Sequence, residues 1–468
     1  MIGWWRLSSA TCGANRLVDR ASKRMKPRIL LVNPPIYDFS AFDFWLKPYG
    51  LLRVAGLIRE QADFQLFDYL DRNDPRVPPG CYRADLWGRG EFYSEPAEKP
   101  NVFAGTPRQF RRFGVPRREF QNFIGDQPPF DFALIQTSMT YWYLGIKEVI
   151  ADLRALSPQT KIILGGVYAT ICGSHARSLG ADFVVEGLEL SPLWRIVSLA
   201  PNGHQLPLWD LYPNLQSGVL KLADGCPFRC TYCSVPQVYP KFHARSLDRS
   251  LAELAFLIHC GVKHVAFYDD ALLYQSEQIL KPFLKEVLKR DLRVNFHTPN
   301  ALNARFISRE LAELMIEAGF KNLYLGFESS AYAWQKKTGG KVYSYELARA
   351  VDNLLEVGAD PRRLHAYVIV GHPNGAEQSV EESMYLANSL GIKVMLSEFS
   401  PIPGTPDGEC CRRWVDLDEP LWHNKTAFVI RWLGNTEINR LKNLAGRLNR
   451  HLDTSNHEVS SPAPLGAA

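Results

Sequence analysis

Three cysteines, Cys226, Cys230 and Cys233, fall within one short run, Asp224-Gly225-Cys226-Pro227-Phe228-Arg229-Cys230-Thr231-Tyr232-Cys233, directly after the apolar stretch Val219 to Leu222. Thiolates are soft ligands that select zinc, copper(I) or iron–sulfur clusters, and three on one tight loop can hold three corners of a tetrahedron or of a cubane. The missing fourth ligand is the informative part. A structural zinc site closes with four protein ligands and a four-iron cluster normally takes four cysteines, yet no later C-x-x-C or H-x-x-H completes this set. Cys260 stands alone in a helical pattern, and the neighbours Cys410 and Cys411 are badly arranged to chelate one ion together. The pattern points to a cubane with one iron left open, against the blander alternatives of a zinc loop or a redox thiol cluster.

Such a loop needs a scaffold, and 468 residues with 46% hydrophobic side chains are enough for two domains with sizeable cores. The net charge of +5 is small for this length and gives no case for nucleic-acid binding. Nine cysteines at irregular spacing do not form a disulfide framework, and a reducing cytoplasm fits them better. Nowhere do about 18 apolar residues run together, so no membrane span is expected. Residues 1–26 lack the charged start and apolar core of an export signal and form a disordered leader.

From residue 27 to 200, short apolar strands alternate with helical segments, as in a parallel sheet covered on both faces. The strands are Ile29 to Val32, Gln65 to Phe67, Phe132 to Ile135, Ile162 to Leu164 and Phe183 to Val185. The fold class is therefore α/β, beginning with a doubly wound, flavodoxin/Rossmann-like domain. Its insertion, 71–129, is rich in proline, glycine and aromatics and has no period; the cluster Arg108, Arg111, Arg112, Arg117 and Arg118 in it forms a solvated face or meets an anion. A linker, 201–217, leads to six further strand–helix units over 218–409: Val219 to Leu222, His264 to Tyr268, Arg293 to Phe296, Asn322 to Phe327, His365 to Val370 and Lys393 to Phe399 each open one. Residues 410–452 cap this barrel and 453–468 are a disordered tail. In both architectures ligands sit at the carboxyl ends of the strands, where the cysteine loop also lies.

The spacing Cys226-x-x-x-Cys230-x-x-Cys233, with Tyr232 before the third cysteine, resembles the signature of the radical S-adenosylmethionine (radical SAM) family. That resemblance implies an incomplete (β/α)6 TIM-like barrel and a [4Fe–4S] cluster on the three cysteines, with Phe228 and Tyr232 on the cluster loop. The open iron would be chelated by the amino and carboxylate groups of S-adenosylmethionine. It further implies that Tyr268-Asp269-Asp270 receives the amino group of S-adenosylmethionine, that His297 and Asn300 follow the third strand, and that Glu328 and Ser329 contact the ribose and methionine portion. Val370 and Gly371 would pack on adenine, and Ser400-Pro401-x-Pro403-Gly404-Thr405 would follow the last strand.

The N-terminal half is similar to the cobalamin-binding domain of one branch of that family, with Asn33-Pro34-Pro35 after the first strand and Gly165-Gly166 after the fourth. Gly165 and Gly166 would admit a bulky cofactor and Ser138 would face its nucleotide loop. The Asp-x-His-x-x-Gly loop that supplies a histidine to cobalt in other cobalamin domains is replaced by Asn33-Pro34-Pro35-Ile36-Tyr37.

The implied activity is reductive cleavage of S-adenosylmethionine to a 5'-deoxyadenosyl radical that abstracts hydrogen from a small-molecule or peptide substrate, followed by cobalamin-dependent methyl transfer to carbon. The alternatives are a radical SAM enzyme without cobalamin that rearranges, cyclises or oxidises its substrate, and a non-catalytic iron–sulfur electron-transfer or scaffold protein. An electron donor such as flavodoxin or ferredoxin is the implied partner.

Overall fold

The structure, a computed structural model, describes residues 26–80, 84–203 and 206–458, so the leader lies almost entirely outside the described residues. Its first sheet has five parallel strands, β1 (Arg28–Asn33), β2 (Asp63–Asp68), β3 (Phe132–Thr137), β4 (Lys161–Gly166) and β5 (Phe183–Val185), in the spatial order 2-1-3-4-5. This is the flavodoxin-like order. β1 is buried along nearly its whole length, as an apolar run flanked by helices on both faces requires.

A second sheet of six parallel strands follows in sequential order: β6 (Ser217–Leu220), β7 (His264–Phe267), β8 (Asn295–Asn303), β9 (Phe320–Glu328), β10 (Leu364–Val370) and β11 (Lys393–Glu398). Each connection carries a helix on the outside, such as Arg309–Glu317, capped by Ser308, whose hydroxyl accepts from the backbone N–H of Leu311 at 3.2 Å. With six strands the barrel stays open between β6 and β11. One continuous apolar cluster runs from Ile29 and Leu52 to Leu220, Leu254 and Val265, so the two sheets share a core. The segment expected as a linker is seated in that core: Trp209 is fully buried and Tyr212 donates to Asp68 at 2.6 Å.

The insertion is ordered into two small antiparallel pieces. Arg111–Phe113 pairs with Ile36–Asp38 and with Ser94–Pro96, and Phe42–Asp43 pairs with Gly90–Glu91. Strands of two or three residues leave no periodicity to detect. Its arginines form a solvated face only in part, at the exposed Arg117 and Arg118. Arg112 is buried against Glu148 at 2.8 Å and Arg117 meets Asp152 at 2.7 Å, both on the helix Tyr143–Leu156. A buried guanidinium needs such a partner, which leaves Arg112 none of its charge for a ligand.

The loops Phe42–Lys47 and Asp85–Arg89 reach into the barrel toward the amino ends of its strands. Trp45, fully buried, stacks on His297 at 4.1 Å and 17°, and its indole N–H donates to the Trp87 carbonyl at 2.7 Å. The Phe44 ring lies 6.0 Å from that of Tyr324, and the Arg89 guanidinium donates to the Tyr324 hydroxyl. The lumen is thereby stoppered from below. At the other end of the chain the helix Asn435–Glu458 overruns the start of the expected disordered tail, held by an ion pair of Asp453 with Lys393 at 2.8 Å; residues 459–468 lie outside the described residues.

Trp45→Ala is expected to lower the unfolding free energy by about 3–5 kcal/mol, the usual cost of emptying a buried aromatic site. Urea unfolding followed by far-UV circular dichroism measures it.

Candidate functional site

The cysteine loop leaves the carboxyl end of β6 and is anchored before its first cysteine. Asp269, buried at the end of β7, accepts from the backbone N–H groups of Leu222 at 2.9 Å and Ala223 at 2.6 Å. Asp224 is gripped by Arg245 at 2.9 Å, Lys221 at 3.1 Å and, from the first domain, Arg53 at 3.3 Å. Burial works against its charge, but these cations outweigh it and hold the carboxyl well below the usual range. Gly225 then turns with φ of 80°, where a Cβ would lie 2.7 Å from the Lys241 carbonyl.

The three thiols, Cys230 buried and Cys226 and Cys233 half-buried, all lie within electrostatic reach of Lys341. Burial pushes all three up, Cys233 to about 11, and Cys230 adds to the rise at the other two. The opposing cation is Lys341, whose ammonium stands 3.5 Å from Glu328; burial disfavours its charge, but Glu328 and the three thiols prevail and raise its pKa. Glu328 itself ends β9 with a left-handed φ of 70°, beside a bulge, and burial raises its carboxyl. Strain of this kind collects at functional sites. Gly339 (φ 117°) lets the Lys341 turn press on the loop: a Cβ there would sit 3.2 Å from the Cys230 Cα. The Thr231 N–H donates to the Thr338 carbonyl at 3.2 Å.

A cavity of about 350 Å³ is lined by Glu328, Ser329, Trp334, Ile369, Gly371 and His372. Tyr232 stacks on Trp334 at 6.1 Å and 12°. Asp407 ties cavity to loop, accepting from Thr231 Oγ1 and standing 2.9 Å from His372 Nε2. Asp270 lies beside the loop, 3.6 Å from Lys221, with its buried Oδ2 lacking a hydrogen-bond partner.

The expected residues divide accordingly. Cys226, Cys230, Cys233, Tyr232, Asp270, Glu328, Ser329 and Gly371 converge. Asp269 is spent on the backbone that carries the loop. Phe228 turns away from the cavity, its ring 6.4 Å from Tyr274 and 6.1 Å from Phe306. Tyr268 points into the lumen, where its hydroxyl donates to the Trp45 carbonyl at 2.9 Å. His297 is not a ligand-facing residue: it is fully enclosed by Trp45, His264 at 3.1 Å and Asn322 at 3.1 Å, and burial pushes its pKa down to about 2. The Val370 side chain is fully buried in the shared core, which leaves only its backbone for a ligand. Lys341, Trp334 and Asp407 were not anticipated; the Gly339-Gly340-Lys341 run was the one visible signal.

In the first domain, Gly165 is half-buried and Gly166 exposed at the carboxyl end of β4, with Ser138 half-buried at the end of β3. A Cβ on Gly166 (φ 118°) would meet the Thr137 carbonyl at 2.4 Å. Met139 and Val167 are exposed beside them, at 51% and 37%. The helix Val167–Ile171 that follows packs against Val235–Val238, the helix immediately after Cys233.

Residues 220–387 match the model of the Radical SAM superfamily. This barrel is a radical SAM domain. Among similar curated proteins are an uncharacterized methyltransferase of Pyrococcus horikoshii, 26% identical over 51% of this chain and 51% of its own, and the bacteriochlorophyllide d C-12(1)-methyltransferase of Chlorobaculum tepidum, 25% identical over 60% and 67%. The chain thus spans about half to two thirds of the length of these relatives. Among solved structures, the radical SAM methyltransferase TsrM of Kitasatospora setae superposes with a TM-score of 0.61 at 14% identity, covering 83% of this chain and 76% of that one. The cobalamin-dependent radical SAM enzyme OxsB gives 0.55 at 13%, covering 86% and 57%. Both likenesses extend over the two sheets together. Among the described residues no helix is long and apolar enough to cross a membrane.

The family's cofactors are a [4Fe–4S] cluster and S-adenosylmethionine, and the radical SAM domain here fits both. The three thiols, all close enough to Lys341 to raise its pKa, would each hold a different iron. The Asp270 carboxylate, which has no hydrogen bond and only a long ion pair with Lys221, and the cavity beside Glu328 suit an ammonium and an adenosyl group.

Two outcomes are expected. Gly339→Ala forces a Cβ against Cys230 and should lower iron bound after anaerobic reconstitution severalfold, measured as iron per chain. Burial also raises Asp269 to about 7 and Asp68 to about 6. The folded state therefore binds these two protons more tightly, and the stability they contribute is fully present below about pH 4 and lost as pH rises through 6 to 7. For the cluster-free chain the loss should be on the order of a few kcal/mol, and smaller in Asp269→Asn, by urea unfolding at pH 5 and 7.5.

Proposed function

We propose that the chain is a radical SAM enzyme that cleaves S-adenosylmethionine reductively and, with cobalamin in the first domain, methylates a carbon of a small-molecule or peptide substrate. The observation that carries this reading is the packing of the Gly166 helix against the helix after Cys233, which sets the crevice of the first sheet beside the cysteine loop. The methyltransferase names of relatives and the cobalamin-dependent structures of like fold support it.

When bound, these cofactors would supply a carbon-centred radical and a transferable methyl group, chemistry that no side chain provides. The protein's part is placement and enclosure. Cys226, Cys230 and Cys233 would hold three irons, and Lys341 would offset part of the thiolate charge. Asp270 is set to accept from the ammonium of S-adenosylmethionine, and Glu328 and Ser329 to bond its ribose. Tyr232, Trp334 and the backbone at Gly371 would enclose the adenine. The stopper at Trp45 keeps water from entering the lumen from below, which protects a radical from quenching.

The test is anaerobic reconstitution with iron, sulfide and hydroxocobalamin, desalting, an optical spectrum, and an assay for 5'-deoxyadenosine on dithionite reduction. Retained corrin and deoxyadenosine are expected, and Cys230→Ala should abolish the deoxyadenosine. Deoxyadenosine without corrin would favour an enzyme that works without cobalamin, the reading that the histidine-free loop Asn33 to Tyr37 supports. Neither, with an intact cluster, would return the chain to the electron-transfer or scaffold class.

A further inference from the structure

Loops from the carboxyl ends of four barrel strands meet in one chain of hydrogen bonds. Trp334, on the helix Tyr332–Lys337 after β9, donates its indole N–H to His372 Nδ1 at 3.4 Å, and the backbone N–H of Asn374 donates to the same nitrogen at 3.1 Å. A ring nitrogen that accepts carries no proton, so the His372 proton sits on Nε2, which faces Asp407 Oδ2 at 2.9 Å. That same oxygen accepts from the Thr231 hydroxyl, and the Asp407 N–H donates back to the Thr231 carbonyl at 3.1 Å. Burial opposes the charge of Asp407, but the bonds from His372 and Thr231 prevail and hold its carboxyl below the usual range. The chain thus runs from the cavity wall at Trp334 to the residue that follows Cys230. It has little slack. His372 and Asp407 are buried, and the imidazole meets the rings of Trp334 at 5.2 Å and Phe399 at 4.9 Å, both at steep angles. Gly371 turns into it with φ of 78°, where a Cβ would lie 2.5 Å from Val429. A brace across the open seam between β6 and β11 would need only the Asp407 and Thr231 pair. The histidine and its bond from Trp334 are surplus to that task, and they extend the chain to a wall of the adenosyl cavity.

We propose that His372 and Asp407 are positioning residues: as one relay they pass the seating of an adenosyl group against Trp334 to Thr231, and so to the part of the loop that carries Cys230 and Cys233. The inference rests on the radical SAM reading above, from which it takes both the adenosyl cavity and the cluster. Thr231 is bonded through its hydroxyl and its carbonyl to one residue, so a shift of Asp407 moves the backbone next to Cys230. Coupling of this kind is reciprocal. A ligand whose seating alters the loop must itself bind differently when the charge of the cluster changes, and by the same factor. The relay also reaches the loop without passing through the open iron. It therefore acts even for a ligand that has no group to chelate iron.

The experiment uses the reconstituted full chain and 5'-methylthioadenosine, which carries the adenosyl group but lacks the amino and carboxylate groups that would chelate iron. Its affinity is measured by anaerobic equilibrium dialysis with the cluster oxidised and with it reduced by dithionite, and the electron paramagnetic resonance spectrum of the reduced cluster is recorded with and without it. In the wild type the two affinities should differ by about fivefold or more, and the spectrum should shift. His372→Phe, which keeps the brace, and Thr231→Val, which removes one hydroxyl outside the cavity, should each bring the ratio of affinities to about one and abolish the spectral shift, with iron per chain unchanged. Asp407→Asn, whose amide oxygen can accept both bonds, should keep the wild-type ratio. A residue that merely lined the cavity would change both affinities alike and preserve the ratio. Equal affinities in the wild type overturn the proposal, as does a wild-type ratio in both His372→Phe and Thr231→Val. So does a wild type that binds S-adenosylmethionine but not methylthioadenosine. A reconstituted wild type that binds no S-adenosylmethionine and forms no deoxyadenosine with dithionite would strike the underlying enzyme reading, a result separate from these.

Discussion

A largely enclosed ammonium, Lys341, is the constraint around which the site is built. A cation withdrawn from water must be met by an anion, and here that is the Glu328 carboxylate, with the three cysteine sulfurs near enough to add to it once ionised. Several otherwise odd features follow. Gly326 has no side chain because a Cβ would stand 2.9 Å from the Lys341 ammonium. Glu328 accepts a left-handed backbone to end β9 facing inward, and Gly339 lacks a Cβ so that the lysine's own turn can lie on the Cys230 backbone. The charge that binds these parts also favours the thiolate form that iron requires.

A second layer fixes the loop from outside. Asp269 holds the backbone entering it, and Asp224 is clamped by cations from both domains. Asp407 links Thr231, between the second and third cysteines, to His372 at the cavity wall. Because Arg53 belongs to the first domain, the position of the cysteines is referenced to the flavodoxin-like sheet as well as to the barrel. A site spanning two cofactors needs that shared reference, since small misplacements of reacting groups are costly.

The succession of strands along the chain and the chemistry of the loop were legible in the sequence because each rests on local signals. Every main strand was visible as an apolar run, and the three cysteines announced their ligand type by their spacing together with the preceding strand, the Gly225-Cys226-Pro227 turn and Tyr232. What escaped was set by distant contacts. Lys341 and Asp407 are ordinary surface residue types whose roles come from neighbours far along the chain. His297 sits on an inward position of a barrel strand, as a ligand residue would, yet the stopper claims it. Arg112 looked solvated only because its partner, Glu148, lies on another element. The insertion's strands are too short to carry a period, so its order appears only once they pair.

The stopper has a consequence for how the chain reaches this structure. The Arg89 to Tyr324 bond joins residues 235 apart in sequence, and the Tyr268 hydroxyl meets the Trp45 carbonyl across 223. Contacts of such separation form late, because the loop-closure entropy is spent before they return anything. The amino-terminal sheet emerges first from synthesis, and it carries the side chains that the barrel lacks for its own interior. A barrel excised at the linker would close on a hollow lined by His264, His297, Tyr324 and His365. The first domain therefore acts as an internal template for the second, and the two halves are not separable modules.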